Sequence, residues 1–423
     1  MAQQDLSFRF MTRRNAVLFL ASFLLVIGFG TGTRAIIFFA ELLVLTMLGE
    51  CFLGARALDL VRVGRSHYPR SFEGSQIEVR LNVTNEGSTP VYMLVVTDSF
   101  PPGSNYHVRQ MATHLPARSE IAFRYREVCS RRRGLYVLGP IRLQASDPLG
   151  LFTFERTENE LSKLLVYPTA EQLVGFNVLG AGTHANVGSE IVRHIGRSEE
   201  FERLRAYHRG DPPRLIHWRS SARLGALHVK EFERNVVTQV TIYCDLHLVA
   251  LSGLGDLTSV EYRIKVAGSI AQEAIHRHHF VRVVALKQPR EETRLAGGSQ
   301  HLTAILDWLA LLKPAGSGSV EEQLIAESGM QRRGSTVILV LSSIHLNAAR
   351  LLDAVTLLHM RRVKVLAVLV DDRSFIKLRK EQEEYYQKAP PLKTVAAALT
   401  RAGVVTYTIR NQESVTRRLG VPV

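Results

Sequence analysis

Two uninterrupted apolar runs near the amino terminus constrain this chain more than any other feature. Asn15–Thr33 carries no charged residue, and Ala35–Leu53 carries only Glu41 and Glu50. Each run has 19 residues, and as a helix measures about 28 Å, the thickness of a bilayer's hydrocarbon core. Thr31 to Arg34 leave room only for a tight turn, so the runs predict a two-helix membrane hairpin over residues 1–56. A cleaved signal peptide would also open on Arg9, Arg13 and Arg14, but the second run follows at once and argues for the hairpin. Arg56, Arg62, Arg65 and Arg70 follow the hairpin and only Arg34 lies inside it, which predicts that both ends face the cytoplasm. Glu41 is costly inside the second run. It is expected near the outer boundary or packed on the first helix, with a proton relay as its functional alternative.

Over residues 57–170 the period changes to two. Ile77, Val79, Leu81 and Val83 alternate with polar neighbours, as do Ile121, Phe123 and Tyr125. Val91–Val96 is a further strand candidate, and Gly134–Leu143 reads as a strand pair turning at Gly139-Pro140. Short alternating strands with frequent turn residues predict a small immunoglobulin-like β-sandwich. Arg131, Arg132 and Arg133 form a basic run, read as a solvated loop or a lipid or partner contact.

Residues 236–423 alternate between apolar strands and amphipathic helices. Strands are expected at 236–244, 280–286, 336–341, 363–370 and 404–409, with helices at 260–276, 301–312, 348–360 and 394–402. Near-continuous Val/Ile/Leu strands predict a mostly parallel sheet covered on both faces. Ala315 to Ser319 reads as a flexible connector, and 377–388 as an exposed charged helix. Ligands of such sheets bind at the carboxyl ends of the strands, which puts Asp245 in a suitable place. Gly180-Ala181-Gly182 is only a weak dinucleotide-type match, since it follows no strand. His276, His278 and His279 are close in sequence but lack a Cys or carboxylate partner at metal-ligand spacing.

Composition narrows the partners. The net charge of +14 and pI near 9.9 suit an anionic partner, yet the basic residues are dispersed and no nucleic-acid recognition motif is present. Nucleic-acid binding therefore ranks below the other readings, and its test is salt-dependent affinity. Three cysteines without a CxxC pair exclude a disulfide framework and a cysteine-rich zinc site.

The densest polar stretch lies between the two folded regions, in residues 171–235. Arg203, Arg205, Arg209, Arg214, Arg219 and Arg223 surround Gly210-Asp211, with Trp218 among them. Pro212 and Pro213 force a turn, and Asp211 is expected to brace it against amides or an arginine fork. Asp211, His217 and Ser221 are the residue types of a hydrolytic triad, so a hydrolase is one alternative function. A triad also needs a nucleophile–base bond and an oxyanion hole.

This stretch resembles the bacterial MoxR-associated proteins of domain-of-unknown-function family 58. The family pattern is met by Arg205, Tyr207, Gly210, Asp211, Arg214, Ile216, Trp218, Ser221, Ala222 and Arg223. Asp147-Pro148-Leu149-Gly150-Leu151-Phe152 also resembles a family segment, with Leu149 replacing Phe. The resemblance implies a bacterial inner-membrane protein whose carboxy-terminal domain is von Willebrand factor A-like, a Rossmann-type α/β fold behind a β-sandwich-like domain. It further implies a partnership with a MoxR-type AAA+ ATPase, a role in assembling other proteins, and no established enzymatic activity. Von Willebrand A domains often hold Mg²⁺ through D-x-S-x-S. Here Asp245 is followed by His247 and Val249 at the serine positions, and the Ser342-Ser343 loop adds hydroxyls only. Asp245 and Ser343 thus form a degraded candidate site, and no cofactor is expected. The expected function is a membrane-anchored, non-enzymatic scaffold or adaptor. Its partner-binding residues would be Arg205, Tyr207, Arg209, Gly210, Asp211, Arg214, His217, Trp218, Arg219, Ser221 and Arg223; the lipid bilayer and a second copy of the chain are further partners to test.

Overall fold

The computed structural model describes residues 13–176, 178, 201–208, 211, 213–232, 238–248, 251–316, 318–344, 346–375 and 391–420. The expected 377–388 helix and the Gly180-Ala181-Gly182 match lie outside them. Its contacts divide the chain into two units, residues 1–169 and 170–423.

The first unit begins with α1 (Arg13–Thr31) and α2 (Arg34–Ala57). Both are long and apolar enough to cross a membrane, and 11% of each apolar window is buried in the protein, unlike the helices of a soluble core. A side chain at Gly28 would place its Cβ 2.7 Å from Ile37 Cγ1, so glycine permits the close approach of α1 to α2. Glu41 is exposed. At its far end α2 is fixed to the strands that follow. The Arg156 guanidinium donates to the carbonyls of Leu58 and Asp59 at 2.6 and 2.8 Å, supplying cationic donors where a helix leaves its carbonyls unpaired.

Ten strands complete this unit: β1 (Val61–His67), β2 (Arg70–Phe72), β3 (Gln76–Asn85), β4 (Val91–Ser99), β5 (His107–Leu115), β6 (Ser119–Val128), β7 (Gly134–Leu138), β8 (Ile141–Ser146), β9 (Thr153–Glu158) and β10 (Ser162–Tyr167). They form sheets in the orders β1-β3-β6, β2-β10-β7 and β5-β4-β8-β9. Alternation does what the sequence predicts: Ile77, Val79, Leu81 and Val83 of β3 are all buried and pack with Leu94, Phe100 and Leu143 in one core. The expected pair at Gly134–Leu143 is corrected. Its two strands exist, but β7 pairs with β10 while β8 pairs with β4 and β9, so Gly139 carries the chain between sheets. Of the basic run, Arg133 is buried while Arg131 and Arg132 are exposed.

A buried ion pair crosses this core. Arg65 and Asp98 have side chains with no solvent exposure. Arg65 Nε donates to Asp98 Oδ2 at 3.0 Å, Nη2 to Oδ1, and Nη1 to the carbonyls of Leu138 and Glu160. The Tyr125 hydroxyl donates to Asp98 Oδ2 at 2.6 Å, and burial together with this carboxylate holds the phenol protonated.

The second unit is built on six strands: β13 (Gln239–Asp245), β16 (Phe280–Leu286), β17 (Glu291–Glu292), β18 (Thr336–Ser342), β19 (Lys364–Val370) and β20 (Val405–Ile409). Among the described residues there are also two ribbons, β11 (Phe201–Ala206) with β12 (His228–Phe232) and β14 (Gly253–Leu254) with β15 (Leu257–Thr258). The sheet order is β17-β16-β13-β18-β19-β20, parallel except at the short edge strand β17. The helices are α3 (Trp218–Leu224), α4 (Ser259–His276), α5 (Ser299–Leu311), α6 (Val320–Ser328), α7 (Ala348–Met360), α8 (Leu392–Arg401) and α9 (Val415–Leu419). One face of the sheet packs against α4, α5 and α9, the other against α6, α7 and α8. Burial on both faces is why these strands lack alternation. The expected flexible connector is instead packed: Leu248 donates to the Gly316 carbonyl at 2.9 Å, and Ser319 caps α6.

Two outcomes follow from these buried groups. Asp98→Asn should cost about 3–5 kcal/mol because it leaves the Arg65 charge uncompensated, and Arg65→Met/Asp98→Leu should restore part of that loss, read by chemical unfolding. In the second unit the His279 Nδ1 accepts the Thr238 amide at 3.3 Å; burial first, then the charges of Arg277 and His278, lower its pKa to about 4. The folded state therefore binds fewer protons than the unfolded one between about pH 6.5 and 4, so stability should fall as pH drops through that window. His279→Leu should flatten the decline in a pH series of thermal unfolding.

Candidate functional site

The 205–223 motif folds as an excursion from the β11–β12 ribbon. Arg205 pairs with Val229 in its register, and Ile216 makes a further bridge to Val229. Asp211 Oδ2 accepts the His208 amide at 2.9 Å while the Asp211 amide bonds the His208 carbonyl at 3.0 Å. These reciprocal bonds close the turn, and the amide at His208 is one of the two kinds of partner expected for the Asp211 brace. A short 3₁₀ turn, Pro213–Leu215, leads to α3. His217 caps that helix, its Nδ1 accepting the Ser220 amide at 3.2 Å and lying 2.8 Å from Ser220 Oγ. Ser221 is buried; its Oγ donates to the His217 carbonyl at 3.0 Å and accepts the His228 amide at 2.9 Å. Gly225 ends the helix with φ of 67°, the left-handed cap that glycine adopts without steric cost.

The triad residues thus serve separate local bonds. The His217 ring meets Ser220, the Ser221 hydroxyl engages two backbone groups, and Asp211 holds the His208 amide. What the braced helix presents is a surface: Trp218 is 67% exposed, and Arg219, Ala222, Arg223 and Leu224 are exposed beside it. The side chains of Arg205 and Arg214, and all of Arg209 and Gly210, lie outside the described residues. Tyr207 is half-buried, its amide bonded to the Leu227 carbonyl at 2.9 Å.

A second cluster sits at the carboxyl ends of β13, β18 and β19. Asp245 Oδ1 accepts the His247 amide at 3.2 Å, with His247 Nδ1 3.1 Å away, and Oδ2 accepts the Ser342 amide at 3.3 Å. Asp372 takes the Ser343 amide and the Ser342 hydroxyl on Oδ2 at 2.7 and 2.6 Å. Its Oδ1 takes Arg263 Nη1 at 2.9 Å, with neither side chain exposed. Burial works to raise the Asp245 pKa, but the His247 bond and the Arg263 charge outweigh it and hold the carboxyl below its ordinary value. A hard dication needs several open oxygen ligands. Among the described residues no group of three or more His, Cys, Asp or Glu is placed to hold one, and the cation this cluster holds is the α4 guanidinium. Asp245 and Ser343 belong to one hydrogen-bonded network that already holds a buried cation, Arg263. Sequence reasoning missed Arg263 and Asp372; the one available signal was an arginine between the core positions Val260, Ile264 and Ala267 of α4. The three histidines do not converge either, since His279 is buried on Thr238 while His276 and His278 are exposed.

Asp372→Asn should lower stability by about 3–5 kcal/mol, because Arg263 loses its buried counterion. Millimolar Mg²⁺ or Mn²⁺ should leave the melting temperature of the wild-type chain unchanged, since an ion that binds only the folded state would raise it.

Among solved structures, the chain is similar to the CARDB domain of a Pyrococcus furiosus protein at 16% identity, covering 25% of this chain and 91% of that one with a TM-score of 0.20. It is also similar to the C-terminal domain of Wzt at 12% identity, covering 26% and 75% with a TM-score of 0.21. A cohesin module from a Clostridium perfringens family 33 glycoside hydrolase aligns at 16% identity, over 25% and 96%, with a TM-score of 0.19. These scores are too low to define a shared fold. No curated protein matches the chain. Residues 203–380, which span both the braced motif and the Arg263–Asp372 cluster, match the family described as Protein of unknown function DUF58, in agreement with the resemblance read at Arg205–Arg223.

Proposed function

We propose that this protein is a membrane-anchored, non-enzymatic scaffold or adaptor that captures a partner protein through the 205–223 motif. The observation that carries the reading is Trp218, left 67% exposed on a helix whose ends are fixed by His217, Ser221 and Gly225. A large aromatic beside arginines, on a rigid support, is the chemistry of binding hot spots. Arg219 and Arg223 favour an acidic partner surface and would speed its encounter. The partner drawn from the family resemblance is a MoxR-type AAA+ ATPase, and the role is assembly or maturation of other proteins.

The remaining assignments have their own support. With the five parallel strands and β17 numbered in chain order, the sheet reads 3-2-1-4-5-6 with strand 3 antiparallel, which favours a von Willebrand A-like domain of the Rossmann type. The two apolar helices and the arginines flanking them support a two-pass anchor in the bacterial inner membrane with both termini cytoplasmic.

Trp218→Ala/Arg219→Ala in the full chain should reduce co-purification of the ATPase from membranes at least tenfold while changing the melting temperature little, since surface substitutions cost about 0.5 kcal/mol or less. Asp211→Ala should show the opposite balance, lowering the melting temperature through the lost turn bond. Undiminished capture by the Trp218/Arg219 variant would defeat the proposal.

A further inference from the structure

The Asp147–Phe152 loop between β8 and β9 is a built turn with an apolar tip. Asp147 is buried, and its carboxylate accepts the amides of Leu149 at 3.1 Å and Phe152 at 2.6 Å. Its own carbonyl accepts the Gly150 amide at 3.0 Å. Gly150 has φ of 66°, a conformation that favours glycine at the tip. Phe152 stacks with Phe154, their ring centroids 6.4 Å apart, and a Cβ on Gly54 of α2 would lie 2.3 Å from the Phe154 ring. The turn is therefore anchored from behind to α2, near the end by which the chain leaves the apolar hairpin.

Its tip faces that hairpin. Leu149 and Leu151 line one cavity of about 430 Å³ together with Arg13, Ala16, Val17, Leu43, Thr46 and Met47. Ala16 and Val17 lie inside the first apolar run, and Leu43, Thr46 and Met47 inside the second. On the membrane-anchor reading, this places Leu149 and Leu151 beside the cytoplasmic ends of the spanning runs. Leu149 nonetheless remains 52% exposed, so the cleft is open on a side that protein does not cover. Arg13 stands at the first turn of α1, its Nη1 3.3 Å from where a Gly150 Cβ would sit. An apolar cleft inside the spanning runs with a guanidinium at its mouth follows the profile of a phospholipid, acyl chains inward and phosphate outward.

We propose that the Asp147–Phe152 loop inserts Leu149 and Leu151 into the cytoplasmic leaflet, so that a phospholipid occupies the cleft with its phosphate at Arg13. The inference rests on the membrane-anchor reading above. It gives the β-sandwich a second hold on the bilayer besides the covalent link through α2.

The test uses the full chain in phosphatidylcholine/phosphatidylglycerol vesicles, with Cys51, Cys129 and Cys244 replaced by alanine. An environment-sensitive fluorophore is placed singly on Leu149→Cys, on Phe19→Cys in α1, or on Leu135→Cys, an exposed apolar position of β7. A quencher carried on the lipid chain near the headgroup should dim and blue-shifted emission should mark the labels at 149 and 19, whereas aqueous iodide should quench the label at 135. Lipid quenching at 19 with iodide quenching at 149 would overturn the loop proposal while leaving the hairpin intact. Iodide quenching at both 149 and 19 would remove the membrane anchor and the loop proposal together. A label at 149 shielded from both quenchers would mean that protein fills the cleft, and equal lipid quenching at 135 would mean that the sandwich as a whole lies on the bilayer; either result overturns the assignment.

Discussion

A guanidinium removed from water must keep a carboxylate beside it, because the cost of stripping its hydration is recovered only through close pairing. Each folded unit of this protein contains such a pair, Arg65–Asp98 in the first and Arg263–Asp372 in the second. In the β-rich unit, Arg65 of β1 reaches Asp98 of β4 and also the carbonyls of Leu138 and Glu160, so strands from all three sheets converge on one side chain. In the α/β unit, Arg263 reaches from α4 to Asp372 beyond β19, and Asp372 in turn holds the Ser342 and Ser343 ends of β18. A displaced helix or strand would leave one of these charges unpaired in the core, a cost that opposes slippage between layers.

The second of these groups also decides the chemistry of the sheet's carboxyl edge. That edge is where ligands of open α/β sheets gather, and Asp245 and the Ser342-Ser343 turn stand there. The guanidinium supplies positive charge to the carboxylates, and backbone amides, the Ser342 and Ser343 hydroxyls and the His247 ring meet their other oxygen positions. The 205–223 motif stands elsewhere in the unit. There, a seven-residue helix held by backbone bonds shows Trp218, Arg219 and Arg223 to solvent. Rigid support and exposed aromatic–cationic chemistry are what a docking surface requires, because little ordering entropy is then lost on binding.

Much of this was legible in the residues alone. The two 19-residue apolar runs pointed to two helices, because each is a single unbroken stretch of that length joined to the next by a tight turn. Alternation at Ile77–Val83 placed one face of β3 in a core, and the Val/Ile/Leu runs of β13, β16, β18, β19 and β20 announced a sheet covered on both sides. The motif at 205–223 was found by its density of Arg, Gly, Asp, Pro and Trp. Less visible was α6, hidden behind a Gly/Ser stretch that reads as a linker until its backbone is seen bonded to the β13 end.

What the sequence by itself determined is therefore local: element type, approximate boundaries, and which stretches carry unusual chemistry, all set by periodicity, turn residues and length. The tertiary structure decided the pairings across distance. It assigned β7 and β8 to different sheets, bonded the His217 ring to Ser220 and the Ser221 hydroxyl to backbone groups, and joined Arg263 to Asp372 across 109 positions. It also set Leu149 and Leu151 beside the hairpin. Such contacts depend on directions in space that a one-dimensional pattern does not encode, and one residue type, a buried arginine, reads the same in sequence as the exposed arginines around it.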